Sequence, residues 1–378
     1  MRVAFVSPVG DIGGAERVLA AIASGLKDRG VDHRVFCLRE GDWTRKQWSS
    51  DTEATGFPGG YRIRHPWRLW KAVRWLRSHL QDYSPTVIHA NHGAWWLTAL
   101  AARRVSAVKI WHLYDYPDRR DLQVVAGEHW LPTGVIFTGE YVASGHPKLK
   151  CLPHAFIRPV TIEASPYTRE ASDPGILNEK LSSKERFYLT VARWQPHKGL
   201  SYLVDAVSLL NKRDQLPSEV RFVVIGKPAN REQIDYQEKM IARMKSCGVF
   251  EFFVMVESCS DSELNAFYRQ AIALVHPATS EGFGLTLIEA MSLGLPIIAS
   301  DASGPSEILE GGRYGCMIPR GDSGLLADAI HRVLQDEIFR NNLRAKSFER
   351  SPAFSKKAMI DETIGFYASL LSDSREAS

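Results

Sequence analysis

Ala273-Leu274-Val275-His276-Pro277-Ala278-Thr279-Ser280-Glu281-Gly282-Phe283-Gly284-Leu285-Thr286-Leu287-Ile288-Glu289 reads as a strand, a polar turn and the start of a helix. The apolar run Ala273–His276 is the strand, and Pro277–Ser280 breaks it. The helix spans Leu285–Ser292 and stops at Gly294, with Pro296 beyond it. The glycines let backbone approach a ligand closely. The unpaired N–H groups near Gly284 and Leu285 form an anion site at the helix start. Glu281 and Glu289 frame that start. Carboxylates do not favour phosphate, so hydroxyls are their natural partners. Hydroxyls beside phosphate describe a nucleotide sugar. A solvated loop Glu and a helix-surface Glu would give the same letters.

The same strand–turn–helix rhythm runs through the chain. Strands are predicted at Val3–Ser7, Arg34–Leu38, Val87–Ala90, Val108–His112 and Val135–Thr138, with helices at Ala15–Lys27 and Arg68–Leu80. A stretch rich in Pro, Ser, Thr and Glu then interrupts it. The alternation restarts with strands Phe187–Ala192, Val220–Ile225, Phe252–Val256, Ala273–His276 and Pro296–Ser300. Helices Leu200–Leu210, Gln233–Ser246, Asp261–Gln270 and Leu325–Gln335 lie among them. Such alternation implies α/β architecture, a parallel sheet wound on both faces, twice over. The expected division is residues 1–157, a linker or long loop over 158–185, residues 186–354, and a C-terminal helix within 355–378 that packs back on the first domain. Open parallel sheets bind ligands at the carboxyl ends of their strands.

The 378 residues fit two domains. With 44% hydrophobic and 24% charged residues, the composition is that of globular proteins. A net charge of +4 is too mild for a dedicated nucleic-acid binder, and none is expected as a partner. The opening Met1-Arg2-Val3-Ala4-Phe5-Val6-Ser7-Pro8 is too short an apolar run for a signal peptide. No window approaches the length of a transmembrane helix. The five Cys are scattered, without a CxxC pair, which fits reduced thiols in a cytoplasmic protein. Nine of the ten Trp lie within the first 130 residues, Trp194 being the exception.

The Glu281–Glu289 spacing resembles the E-x(7)-E signature of the retaining glycosyltransferases of family 4, the group 1 glycosyltransferases. The flanking His276–Ser280, Glu289-Ala290-Met291, Gly294-Leu295-Pro296 and Gly304-Pro305-Ser306-Glu307 agree with it. The likeness extends over nearly the whole chain. It implies the GT-B fold, two Rossmann-like domains facing across a central cleft, with an acceptor-binding first domain and a nucleotide-sugar-binding second domain. Val191-Ala192-Arg193-Trp194-Gln195-Pro196-His197-Lys198-Gly199 resembles the family's G-R-x-x-x-x-K-G pattern, with Ala192 in place of the first Gly. Arg offers a bidentate fork and Lys a point charge, a suitable pair for a pyrophosphate. Gly10-Asp11-Ile12-Gly13-Gly14-Ala15-Glu16 is not the GxGxxG of dinucleotide sites. It resembles the family's N-terminal glycine loop, which faces the donor. The implied donor site is thus Gly13, Gly14, Arg193, Lys198, Glu281, Gly282, Phe283, Gly284, Leu285 and Glu289.

In Ile110-Trp111-His112-Leu113-Tyr114-Asp115 the chain departs from its family, which places a His directly before the Asp, close to the reacting sugar. Either His112 or Tyr114 takes that place, and His112 is preferred. The catalytic set implied is therefore Glu281, His112, Arg193 and Lys198. His89, His92, Tyr114 and Asp115 are read as lining on the acceptor side or as structure. The spacing of His89 and His92 suits a metal, but no further ligand follows at the right distance, and no metal is expected. Leu152-Pro153-His154-Ala155 departs again, from Pro-Asn-Gly. Trp95-Trp96 suits stacking on sugar rings or a place in the core.

Residues 61–80 carry Arg62, Arg64, Arg68, Lys71, Arg74 and Arg77. A helical wheel puts Leu69, Trp70, Ala72, Val73, Leu76 and Leu80 on one face, with Lys71, Arg74 and Trp75 opposite or at its border. That pattern suits an anionic membrane surface, or a core-facing helix with a solvated basic side.

The expectation is a retaining, metal-independent glycosyltransferase without a cofactor. It would use a nucleotide-diphosphate sugar, UDP-linked first and GDP-linked second, and a glycan, lipid-linked or small-molecule hydroxyl acceptor. It would be cytoplasmic, or peripheral on the inner membrane face. The family's route is front-side attack with the leaving diphosphate helping to deprotonate the acceptor. Competing readings are a nucleotide-sugar epimerase or phosphorylase on the same fold, and a non-catalytic nucleotide-sugar-binding scaffold.

Overall fold

The computed structural model describes residues 1–10, 14–41, 54–60, 65–114, 130–157 and 174–376. It divides into two compact units, Met1–Thr161 with Ser355–Ser378, and Ile162–Phe354.

The described strands of the first unit are β1 (Arg2–Ser7), β2 (Asp32–Cys37), β3 (Ala54–Gly56), β4 (Val87–Asn91), β5 (Val108–Leu113), β6 (Gly134–Phe137) and β7 (His154–Phe156). They form one parallel sheet in the order β3-β2-β1-β4-β5-β6-β7. The order reverses between β1 and β4, which makes that edge the place for a ligand. Alternation along each strand sends neighbouring residues to opposite faces. Ala4 and Val6 of β1 join Leu76, Leu80, Trp96 and Leu97 in one core cluster. Phe5 points the other way, its ring 5.2 Å from that of His89. That second face is covered in part by the helix Lys356–Glu376, whose Tyr367 reaches His89. The same helix packs on Gly14–Asp28 and is tied to its end by an Arg29–Asp361 pair at 2.5 Å.

The second unit holds β8 (Arg186–Val191), β9 (Val220–Ile225), β10 (Phe253–Val256), β11 (Leu274–His276), β12 (Ile297–Ser300) and β13 (Cys316–Ile318). These again form a parallel sheet, ordered β10-β9-β8-β11-β12-β13, with the reversal between β8 and β11. Tyr188, Trp194, Leu203, Val207, Phe222 and Ile330 belong to one of its core clusters. The buried Tyr188 hydroxyl donates to the Ile330 carbonyl at 2.7 Å.

Three of these strands escape the sequence reading. β3, β7 and β13 are three residues long, too short to show a period. Within the stretch read as linker, Gly175–Lys180 is a helix with Leu177 buried. The helix read as Arg68–Leu80 spans Pro66–Tyr83. Its wheel needs correcting at two positions. Trp70 points outward, 63% exposed. Trp75 turns inward, against Phe36, Phe57 and His79. Arg77 is not solvated either; its guanidinium donates to the Leu100 and Ala101 carbonyls. Arg62 and Arg64 lie outside the described residues.

Leu203 is fully buried, whereas Ile338 is 86% exposed. Leu203→Ala is expected to cost about 3 kcal/mol of stability. Ile338→Ala should stay within about 0.5 kcal/mol of the parent. Denaturant unfolding followed by circular dichroism checks both.

Candidate functional site

In the second unit the chemistry gathers where the strand order reverses. The segment after β8 leaves through Ala192 and Arg193 and makes a single turn at Pro196–Lys198 before the helix Leu200–Lys212. The buried Trp194 pins it by donating from Nε1 to the Gly226 carbonyl at 2.7 Å. Gly199 has φ +73°, and a Cβ there would run into the Pro277 carbonyl. Glycine is therefore required on two counts, the left-handed backbone and the close approach. The loops after β8 and β11 are laced together by the Thr279 and Ser280 amides, which donate to the His197 carbonyl at 2.8 and 3.4 Å.

That lacing sets Lys198 Nζ 2.6 Å from Glu281 Oε2, with the two side chains only 12% and 16% exposed. His276 Nε2, at the end of β11, is 3.3 Å from the same oxygen. Burial alone would raise the Glu281 pKa. His276 and Lys198 outweigh it and hold the carboxyl well below the usual carboxylate range. Glu281 is thus an anion across the ordinary pH range, and its own backbone carbonyl accepts from the Gly304 amide at 3.1 Å.

Three residues on, Gly284 adopts φ +109° and caps the helix Leu285–Ser292. Leu287 N–H donates to the Gly284 carbonyl. The first amides of this helix, at Leu285 and Thr286, have no acceptor within it and point along its positive end. Phe283 is buried, with its ring edge toward Phe354. Glu289 lies in the second turn, where its Oε2 accepts from the buried Tyr268 hydroxyl at 2.6 Å. Arg193 is exposed and makes no ion pair among the described residues. The structure therefore brings Lys198, Glu281 and the Gly284–Leu285 helix start into one locality and leaves Arg193 with its charge unneutralised. His276 and Tyr268, which hold the two glutamates, were not singled out by sequence. The quoted motif contained His276, and its position at a strand end was the available signal. Tyr268 lies outside that motif.

The first unit offers a different constellation at its own reversal. His89 and Asn91 of β4 share one face of the sheet with His112 of β5, Asn91 standing opposite His112. His89, Asn91 and His112 have no exposed surface. His89 Nδ1 is 2.5 Å from Tyr367 Oη, and His89 Nε2 is 3.1 Å from His112 Nδ1. The Tyr114 hydroxyl converges on the same His112 Nδ1 at 3.0 Å, its ring stacked on the imidazole. His112 and Tyr114 are thus in direct contact. Burial lowers His89 to a pKa of about 3. Burial, with the neighbouring His89, pushes His112 in the same direction. Glu16, also buried, faces this region from the helix Gly14–Asp28 and, after burial, adds to the rise in the Tyr114 pKa.

The pairing of His89 with His92 does not survive. His89 points into the sheet face, whereas His92 starts a tight turn at φ +39° and offers its carbonyl to Trp111 Nε1 at 2.7 Å. His89 is enclosed between Tyr367 and His112. Trp95 and Trp96 are core residues; Trp95 stacks on Trp111 with ring centroids 5.7 Å apart. His154 Nδ1 turns back to the Leu152 carbonyl. Gly13 and Asp115 lie outside the described residues, and Gly14 opens its helix. Among the described residues no group of three or more His, Cys, Asp or Glu side chains could hold a metal ion.

Because the folded Glu281 pKa is depressed, its stabilising contribution is complete above the ordinary Glu value of 4.5 and is lost as pH falls toward the folded value. The stability difference between the parent and Glu281→Gln should be flat from neutrality down to that point and shrink below it. Lys198→Met, which strands a buried carboxylate beside His276, should cost about 3 kcal/mol at pH 7. Denaturant titrations at a series of pH values check both outcomes.

Comparison with known proteins agrees on the family. Residues 176–350 match the model for glycosyl transferases group 1, and residues 12–148 the model for glycosyltransferase family 4. The chain is 28% identical to the D-inositol 3-phosphate glycosyltransferase of Nocardioides sp. over 50% of its own length and 43% of that protein's. It thus spans less than half the length of this and several other curated relatives that it matches. A D-inositol 3-phosphate glycosyltransferase of Kineococcus radiotolerans is matched over 96% of this chain and 92% of its own, at 23% identity. Among solved structures, Anabaena Alr3699/HepE, solved with UDP, superimposes with a TM-score of 0.82 at 20% identity, over 98% of this chain and 100% of that one. The likeness shows the GT-B fold. Two family models that together span most of the described residues, on two parallel sheets of this order, make the chain a member of the group 1 glycosyl transferases.

Proposed function

We propose that this protein is a retaining glycosyltransferase that moves a sugar from a nucleotide diphosphate to a hydroxyl acceptor. The observation that carries this reading is the Lys198–Glu281 pair beside the open helix start at Gly284–Leu285. An anion arriving at that start finds backbone amides, a buried ammonium and the exposed Arg193 guanidinium. The diphosphate takes Lys198 and Arg193, and these cations stabilise the charge that develops as the sugar–phosphate bond breaks, without a metal. Glu281, held ionised, accepts hydrogen bonds from sugar hydroxyls. Glu289, oriented by Tyr268, takes the ribose hydroxyls. The acceptor oxygen bonds to the anomeric carbon on the face the diphosphate leaves, and its proton passes to the departing diphosphate. His112, in the first unit, takes a hydroxyl of the donor sugar.

UDP is the expected nucleotide, a choice supported by the UDP-bound state of the HepE structure, and GDP is the next. The acceptor is a glycan, a lipid-linked sugar or a small polyol. A polyol is the kind of acceptor named for the inositol phosphate enzymes among the relatives. We further propose that the helix Pro66–Tyr83 meets an anionic membrane. Trp67 and Trp70, 55% and 63% exposed, sit one turn apart on it. Arg68 and Lys71 lie over the Trp67 ring at 5.1 and 5.4 Å, so cations and indoles share one outward patch. No helix among the described residues is long and apolar enough to cross a membrane.

A panel of labelled nucleotide sugars should show one donor bound and slowly hydrolysed without acceptor, and the glycosylated product should keep the donor's anomeric configuration by NMR. No binding to any donor, epimerised donor, or an inverted product would defeat this reading. Arg193→Ala, Lys198→Ala and Glu281→Ala should each lower kcat/KM on the order of a hundredfold. In sedimentation with anionic liposomes, replacing Arg68, Lys71 and Arg74 by Glu should abolish binding. Equal binding would sink the membrane proposal.

A further inference from the structure

The first unit encloses three titratable side chains, Tyr367, His89 and His112, whose protons have a single consistent arrangement, with the half-buried Tyr114 beside them. Tyr114 and Tyr367 are phenols, and burial pushes both well above their usual value of 10, so both keep their protons. Each buried O–H needs an acceptor. Among the described residues the hydrogen-bond partner of Tyr367 Oη is His89 Nδ1, and that of Tyr114 Oη is His112 Nδ1. Tyr367 is fully buried, so its O–H donates to His89 Nδ1, which is therefore a lone-pair acceptor. A neutral imidazole with an accepting Nδ1 carries its proton on Nε2. His89 Nε2–H then has one place to go, His112 Nδ1 at 3.1 Å. His112, neutral for the same reason, is left with its proton on Nε2, and that atom is buried without a hydrogen-bond partner.

We propose that Tyr367, acting through His89, is a positioning residue that fixes His112 as the Nε2–H tautomer, so that His112 meets its ligand as a neutral hydrogen-bond donor and not as a base. The group it takes is an uncharged oxygen with a lone pair to offer, such as a sugar hydroxyl. This rests on the reading above, in which His112 faces the donor sugar. The site selects against an ammonium or an N–H group, which would face another donor. Reversing the relay from Tyr367 through His89 to His112 would leave the Tyr367 proton without an acceptor among the described residues, at a cost of one buried hydrogen bond.

Long-range proton–nitrogen NMR of histidine-labelled protein without ligand tests the tautomers directly. The expected result is Nε2–H and bare Nδ1 at both His89 and His112, unchanged between pH 8 and 5. An Nδ1–H signal at His112 in the parent protein would overturn the proposal, and this measurement needs no variant. In Tyr367→Phe the acceptor role of His89 Nδ1 is no longer enforced, so Nδ1–H forms should appear at His89 and then at His112. Unchanged tautomers in that variant would also overturn it. Binding of the nucleotide sugar to Tyr367→Phe should weaken roughly tenfold. His112→Gln, whose amide N–H reaches the Nε2 position, should bind better than His112→Asn; the reverse order would count against the donor role. Expected tautomers in a protein that binds no nucleotide sugar would support the proton arrangement and defeat the transferase reading alone.

Discussion

The contact of Lys198 with Glu281 is the interaction on which the second unit's chemistry depends, and it is a consequence of sheet order. In a sheet ordered β10-β9-β8-β11-β12-β13, the strands preceding these residues are neighbours although 83 positions separate Lys198 from Glu281. Neighbouring parallel strands release their loops on the same edge, and Gly199 under the Pro277 carbonyl lets the two loops touch. The pair is enclosed enough for its attraction to matter and is completed by His276, so neither charge is stranded. It also means that the Lys198 ammonium is already paired with a carboxylate. Any anion arriving there competes with Glu281 for Lys198, while Arg193 has no ion-pair partner among the described residues.

The two units solve the same topological problem with opposite electrostatics. In the second, the reversal point is charged and its polar groups are held ionised. In the first, the reversal point is occupied by side chains that burial keeps neutral: His89, His112, Tyr114 and Tyr367. A charged site suits an anion and its developing negative charge. A neutral site suits hydroxyls, which are told apart by the direction of hydrogen bonds rather than by attraction.

What could be read from letters follows from how local each signal is. The strands bordering the second unit's reversal, their helices and the Glu281–Glu289 spacing are short-range patterns, and they sit within a residue or two of the expected bounds. Three-residue strands such as β7 and β13 owe their existence to neighbours and carry no period of their own. Trp70 and Trp75 changed sides because a wheel holds no information on what the helix packs against, and Trp75 meets Phe36 and Phe57 from distant parts of the sequence. His89 was quoted for its spacing to His92, yet its real partner is Tyr367, 278 positions away. No spacing within the first hundred residues could have revealed that contact.

That distance bears on how the chain is made. The face of the first sheet that carries His89 and Phe5 is closed by the helix Lys356–Glu376, and Gly25 and Gly134 lie directly beneath its Ile360, Phe366 and Leu370. During synthesis the ribosome delivers the sheet first and the whole second unit next, and only then the helix that covers it. For all that interval the first unit holds an uncovered apolar face and an imidazole with no phenol to receive. Its folding is therefore not vectorial: the unit translated first is the one completed last.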